Sequence, residues 1–494
     1  DKIPNIVLII TDDLGLNDLS GASGVLTPNI DSIRDNGVAF TQAYAGHATC
    51  APSRGALLTG RFPTRFGYEF TPAPKSLARI LTVPTEAELF HPILHSHLIN
   101  KLPSVSAMAL TRNETMISEV LQKHGYNTYY IGKWDSGKDT PHTPTDRGYN
   151  ESVSFPMGAS LYQKEWHPDL VNGYGDKFDD FVRMALRFYV THNNGPQIEP
   201  DKYMTDYLAE QASHLIRARP RTTQVDPFFL ALAFNAAHNP YQAMRQDYED
   251  PEVQKLPTHF ERVYAAMVKA LDRGVGQVLQ ALRDSGQYEN TLVIFTNDNG
   301  GAHYTNLPHL NAPYRGWKAT FFEGGIRVPL FMQWPARIRP QQDAPSTEHA
   351  EICRTYAQRS AHPGVHCGYR TIDDVVSHVD LFPSLTQEHS QSRALYWRSG
   401  HYSALRVGDW KFQIALRPNK VWFYNLKEDP TEQRNLAAEL ALLQQLLEVF
   451  AQYERVDADQ APPSWPAACE TPVTVDKIVS MKEELSDECI YWSN

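Results

Sequence analysis

Four apolar runs, each closing on a polar cluster, restrict this chain to few folds. They are Asn5–Thr11, Tyr126–Ile131, Phe228–Phe234 and Thr291–Thr296. The first is rich in Ile and Val, the pattern of a strand buried on both faces. Between the runs lie segments with apolar residues at helical spacing, Lys202–Ala218 and Phe260–Ser285. Thr111-Arg-Asn-Glu114 reads as a capping box that opens a helix to about His124, and Gly125 ends it. Strands alternating with helices predict a large, mostly parallel sheet with helices on both faces. Right-handed crossovers then bring the C-terminal ends of the strands to one edge, where ligands bind. The polar residues after Thr11, Ile131, Phe234 and Thr296 converge there.

Near residue 390 the pattern changes. Ala394–Trp397, Ser403–Val407, Trp410–Ile414 and Val421–Asn425 are short strands separated by Gly-Asp and Pro-Asn turns, and Glu439–Tyr453 is helical. The expected architecture is α/β. A catalytic domain spans 1–389, and a smaller domain of antiparallel sheet plus helix spans 390–494. Residues 72–110 and 339–370 are long irregular insertions of the kind that shape a site. A chain of 494 residues has room for both cores. No apolar run approaches the roughly 18 residues of a membrane span. The formal charge of −11, without any basic run, argues against a nucleic-acid partner and requires an anion site to be locally basic. The chain runs from Asp1 directly into a strand, which fits a signal peptide already removed.

Of the five cysteines, Cys353 and Cys367 bracket an irregular segment, and Cys469 and Cys489 bracket the C-terminal tail. Two local disulfides are expected, implying an oxidising compartment. Free thiols, or a metal held by Cys353, His362, His366 and Cys367, are the alternatives. Asn113 and Asn150 begin glycosylation sequons. Asp12-Asp13 closes the first strand and Asn297-Asp298-Asn299-Gly-Gly closes a late one. Three carboxylates and an amide oxygen form an all-oxygen set suited to a hard divalent cation, Ca²⁺ above softer metals. Without a cation the carboxylates repel one another.

Residues 50–61 read Cys-Ala-Pro-Ser-Arg-Gly-Ala-Leu-Leu-Thr-Gly-Arg. Pro52 suits a first helical turn, whose free N–H groups and positive end favour an anion. Arg54 adds a planar fork of donors. All twelve positions resemble the signature of the type I, formylglycine-dependent sulfatases of the alkaline phosphatase superfamily. The resemblance implies that Cys50 is oxidised to formylglycine by a formylglycine-generating or sulfatase-maturating enzyme. It also implies that Asp12, Asp13, Asp298 and Asn299 hold calcium, which contacts residue 50.

Further fragments match the family in chain order: Gly132-Lys133-Trp134, Ala237-His238-Asn239-Pro240, Arg315-Gly-Trp-Lys318 with Phe322–Pro329, and Val376–Pro383. By resemblance Arg54 and Lys133 orient the formylglycine hydrate. Lys318 and His238 grip the sulfate, and His238 protonates the departing alcohol. The family continues Gly-Lys-Trp with a histidine, where this chain has Asp135. His142 folding back into that place, Asp135 acting as base itself, and a redesigned step are the open readings.

The implied reaction is sulfate-ester hydrolysis with S–O cleavage by a hydrate hydroxyl, followed by elimination. A sulfated carbohydrate is the expected substrate, ahead of a small aryl sulfate. Trp166, Trp317, His91, His95, His97 and His309 are candidate sugar contacts. The alternatives are a phosphonate or phosphate monoester hydrolase on the same fold, and a catalytically weak sulfated-glycan binder. A periplasmic or secreted location follows, with a lysosome-like compartment as the other option.

Overall fold

The computed structural model describes residues 3–21, 24–81, 92–174, 177–219, 226–302, 307, 309–338, 370–380, 394–475 and 489–493. Its centre is a ten-stranded sheet in the order 370–377, 38–44, 330–333, 291–297, 5–11, 228–233, 127–133, 151–155, 190–192, 197–198. The strands 291–297, 5–11, 228–233, 127–133 and 151–155 run parallel to one another. Strand 330–333 is antiparallel to both neighbours, and two short antiparallel strands close the far side.

Period-two alternation divides the strand residues between two cores. Val7, Ile9, Leu230, Leu232, Val293 and Phe295 face a core shared with the helices Met204–Ala218 and His259–Asp284. Leu8, Ile10, Phe229, Ala231 and Ile294 face the other, with Ala51, Leu57 and Leu58 of the helix Cys50–Thr59. Both faces are covered, which is why the first strand carries an unbroken apolar run. The long helix starts at a capping box. Glu261 donates its N–H to the Thr258 hydroxyl at 3.1 Å, and its carboxylate accepts the Thr258 N–H at 3.0 Å. Midway along it, Asp272 accepts the N–H groups of Asn29 and Ile30, tying down the first turn of Pro28–Asp35.

The helix expected from Thr111 begins later, at Ile117–Lys123. Arg61 donates to both Glu114 oxygens, at 2.8 and 2.7 Å, so that carboxylate is unavailable for a cap. Glu119 takes the role, accepting the Met116 N–H at 2.7 Å.

The C-terminal strands 394–399, 402–407, 410–416 and 419–425 form one antiparallel sheet. On one face Leu405, Phe412 and Phe423 meet Val449, Phe450 and Tyr453 of the helix Leu443–Ala458. On the other, Trp397, Tyr402 and Trp422 pack on Tyr44, Phe321 and Phe322. Beneath that contact lies a buried charge cluster. Lys411 Nζ stands 2.8 Å from Glu323 and 2.9 Å from Glu432, with Arg327 3.2 Å from Glu323.

Strand 469–474 pairs with 489–493 and with 93–94, so the chain's end is stitched to the first insertion. The described part of that insertion carries short helices at Lys75–Leu81 and Ser96–Ile99 in place of an irregular loop. The register corrects one expected bridge. Cys489 lies opposite Thr474, five positions along the strand from Cys469. That is about 17 Å, beyond the roughly 7 Å between Cα atoms that a disulfide tolerates. Cys353 and Cys367 fall outside the described residues. No described helix is long and apolar enough to cross a membrane.

Candidate active site

The site lies at the C-terminal edge of the parallel strands. The strand Asn5–Thr11 delivers Asp12 and Asp13, and Thr291–Asn297 delivers Asp298 and Asn299 beside them through the pairing of Thr11 with Asn297. The strand Asn127–Lys133 ends on Lys133. Gly132 has φ +109°, and a Cβ there would stand 1.9 Å from the Ala233 carbonyl oxygen. Only glycine lets the backbones approach closely enough to aim Lys133 at the edge.

Cys50 is the first residue of its helix, and Gly60, at φ +65°, closes the other end. The Cys50 Sγ lies 3.5 Å from Asp12 Oδ1. Burial and the Asp12 carboxylate push its pKa well up, so the unmodified side chain is a neutral thiol. One turn in, Arg54 Nε and Nη2 each stand 2.9 Å from Asp298 Oδ2, with Asp12 Oδ2 at 3.5 Å. Its Nη1 donates to the Lys133 carbonyl at 3.1 Å. Lys133 Nζ is 2.6 Å from Asp12 Oδ2, and Lys318 Nζ is 2.7 Å from Asp13 Oδ2. His238 is pinned through Nδ1 by the Asn239 carbonyl at 2.5 Å, which leaves Nε2 facing Asp13 Oδ2 at 3.5 Å.

All of these groups are withdrawn from solvent except the edge of His238, at 12% exposure. Burial acts on Asp12 and Asp13, but Lys133, Lys318, His238 and Arg54 outweigh it and hold both below the usual carboxylate range. Asp298 goes the other way, raised by burial and by Asp12. Burial and Lys318 lower the imidazole of His238. The chain as a whole is acidic, yet two lysines and an arginine gather here, as an anion site requires.

Asp12, Asp13, Cys50 and His238 each offer a ligand atom within 4.8 Å of the others. This set takes in His238, which the sequence suggests for the sulfate, and leaves out Asp298, whose carboxylate Arg54 engages. The fit to a hard cation is tested by Asn299. Its Nδ2 donates to Asp13 Oδ1 at 2.8 Å, while its buried Oδ1 has no hydrogen-bond partner among the described residues. An unmatched acceptor next to three carboxylates matches the donor chemistry of calcium.

Asp135 joins the cluster at its rear, with Oδ2 3.6 Å from Lys133 Nζ. His142 does not join it. Its carbonyl accepts the Trp134 indole N–H at 2.8 Å, and its ring faces Leu110, Arg147 and Arg112. Of the candidate sugar contacts, Trp166 is 79% exposed and Trp317 is buried. His95 bonds Glu470 at 3.0 Å and lies edge-on to His97, His309 binds Asn17 through its carbonyl, and His91 falls outside the described residues.

Several supporting groups gave no sequence signal of this role. The Ser53 hydroxyl donates to the Asp298 carbonyl at 2.5 Å. The Tyr130 hydroxyl donates to the Lys133 carbonyl. Tyr162 reaches the carbonyls of Asn235 and His238, at 2.5 and 2.8 Å, and steadies that loop. Only Ser53 sat inside a recognisable motif.

Residues 4–387 match the family model described as Sulfatase. The chain is similar to the mouse (Mus musculus) N-acetylgalactosamine-6-sulfatase, 29% identical over 417 residues, covering 83% of this chain and 72% of the relative. It is similar to the steryl-sulfatase of Rattus norvegicus at 29% identity, covering 86% and 78% of the two chains. Among solved structures it resembles Ps i-CgsB in complex with k-i-k-neocarrahexaose, with a TM-score of 0.69 and 26% identity over 94% of this chain and 95% of that one.

Proposed function

Since the chain belongs to the sulfatase family and is a sulfuric ester hydrolase, we propose that it desulfates a sulfated carbohydrate, with residue 50 as formylglycine and a calcium ion at the strand edge. The observation that carries this reading is Cys50 at a helix start, 3.5 Å from Asp12 and inside a cluster of carboxylates and cations. Asp12, Asp13, Asp298 and the Asn299 amide oxygen would hold the cation. The converted side chain, made by a formylglycine-generating or sulfatase-maturating partner, supplies a nucleophilic oxygen, and the bound cation stabilises negative charge on the ester.

The remaining work falls to the chain's own residues. Arg54, clamped on Asp298, keeps the start of the helix against the strand edge. Lys133 and Lys318, paired with Asp12 and Asp13, present fixed positive charge to the transferring group. His238 keeps Nε2 for the site, facing Asp13 at 3.5 Å, because Nδ1 is engaged by a carbonyl. Its lowered pKa makes it a ready acid: an Nε2 proton brought on by the bound anionic ester would pass to the departing alcohol oxygen. Burial of these groups excludes water and strengthens each contact.

The carbohydrate reading draws on the names of the relatives: one acts on an N-acetylgalactosamine 6-sulfate, and the solved neighbour holds a neocarrahexaose. Released sulfate measured over a panel of defined sulfated oligosaccharides, with an aryl sulfate alongside, tests it. Faster turnover of the aryl sulfate than of every oligosaccharide would refute the substrate class. Mass analysis of the peptide 50–54 from co-expression with a maturating enzyme tests the modification, expected as loss of sulfur and two hydrogens with gain of one oxygen.

A further inference from the structure

Asp135 is held unusually firmly for a residue of no evident use. It is buried, with its backbone in the left-handed region at φ +53°, a conformation with a cost for a non-glycine residue. Its N–H donates to the Pro156 carbonyl at 3.1 Å, its carbonyl accepts the Tyr68 hydroxyl at 3.0 Å, and Oδ1 accepts the Gly158 N–H at 3.0 Å. Every polar atom but one is therefore satisfied. The exception is Oδ2, buried and without a hydrogen-bond partner among the described residues, 3.6 Å from Lys133 Nζ.

Lys133 is fully buried and stands between two carboxylates, bonded to Asp12 at 2.6 Å and just short of Asp135. A buried ammonium needs a counter-ion. The Asp12 carboxylate is also one that a cation at this edge would draw upon. A divalent ion held by Asp12 would repel the ammonium and compete for the same oxygens. Asp135 Oδ2 is a second seat for Lys133, reached by a movement of less than 1 Å toward hydrogen-bond distance, on the order of ordinary side-chain adjustment. We infer that Asp135 is a positioning residue that receives Lys133 when Asp12 engages calcium. It thereby sustains cation affinity and gives the ammonium a partner beside the reacting group. An anion stands after Gly-Lys-Trp because here the lysine is the group to be managed, and His142 is turned elsewhere.

The inference rests on the calcium reading above, and the test separates the two. Calcium binding to chelator-stripped protein is measured by titration calorimetry in wild type, Asp135→Asn, Lys133→Met and the double variant. Asn keeps the Gly158 contact and removes only the charge. Asp135→Asn should weaken calcium binding on the order of tenfold, the size of coupling between neighbouring charged groups. In the Lys133→Met background, where no ammonium needs a seat, the same change should have no further effect. An equal loss in both backgrounds would mean that Asp135 acts as a distant negative charge or a structural brace, and would overturn the proposal. So would wild-type affinity in Asp135→Asn. Absence of calcium binding in wild type overturns the calcium reading and this proposal together. If Asp135→Asn fails to fold, Asp135→Ser is carried through the same cycle.

Discussion

Replacing Lys411 by Met should unseat the C-terminal sheet. The Lys411 ammonium is fully buried between Glu323 at 2.8 Å and Glu432 at 2.9 Å, and both carboxylates are fully buried too. At an effective dielectric constant of 20, each attraction at that range is about 6 kcal/mol. Mutual repulsion of the glutamates and the cost of burying the ammonium offset much of this. Removing one partner of a buried ion pair costs about 3–5 kcal/mol, and that is the expected loss at pH 8. Arg327 and Arg406 still support Glu323, so Glu432 bears the consequence. Burial already pushes Glu432 up, from 4.5 to about 7, against the pull of Lys411. Its folded pKa lies above the unfolded one, so its contribution is full below pH 4.5 and is lost as pH rises through 7. Without Lys411 the folded pKa climbs further and the loss extends to higher pH. The gap between variant and wild type should therefore widen from pH 5.5 to pH 8. Denaturant unfolding followed by the fluorescence of the buried Trp397 and Trp422, which line this sheet, reports the local transition. A loss below about 1 kcal/mol at pH 8, or a larger loss at acidic pH than at alkaline pH, would refute the reasoning. Adding Glu432→Gln should recover much of the stability, since a neutral amide needs no counter-ion while Glu323 keeps Arg327 as its partner.

Gly132→Ala should destabilise the fold by more than about 2 kcal/mol and depress turnover, because a Cβ at 1.9 Å from the Ala233 carbonyl forces Lys133 away from Asp12. Unfolding and released-sulfate assays check both effects, and an active variant of wild-type stability would count against the close approach. Chelation should abolish turnover and lower the thermal midpoint, with Ca²⁺ restoring both better than Zn²⁺. Restoring calcium to 100 times its dissociation constant adds about 2.7 kcal/mol, and an unchanged melting curve would exclude a bound cation. Thr258→Ala removes the cap of the long helix and should cost about 1 kcal/mol while sparing KM, as denaturation and steady-state kinetics would reveal.

Much of the architecture was legible because burial leaves a local mark. A strand covered on both faces needs apolar residues at every position, so Asn5–Thr11 could be delimited to the residue. The long helix carried its own apolar stripe and moved by only one residue at each end. Thr111 was misread because a capping box is a local pattern, and Arg61, distant in sequence, claims the Glu114 carboxylate. The same limit applied at the site. Strand ends predicted that Asp12, Asp13, Lys133, His238 and Asp298 would share an edge, since sheet topology follows from element order, while Lys318 was expected there only from the family resemblance. Spacing could not say which way a side chain turns after a glycine at φ +109° or an aspartate at φ +53°. His142 and Asp135 were both within reach along the chain, and only the packed structure set Asp135 against Lys133 and His142 against Leu110 and Arg147. Sequence determined which elements form and which edge collects the chemistry, because hydrophobic periodicity is read locally. Tertiary structure decided the pairing of buried charges, because a counter-ion is chosen by distance in space.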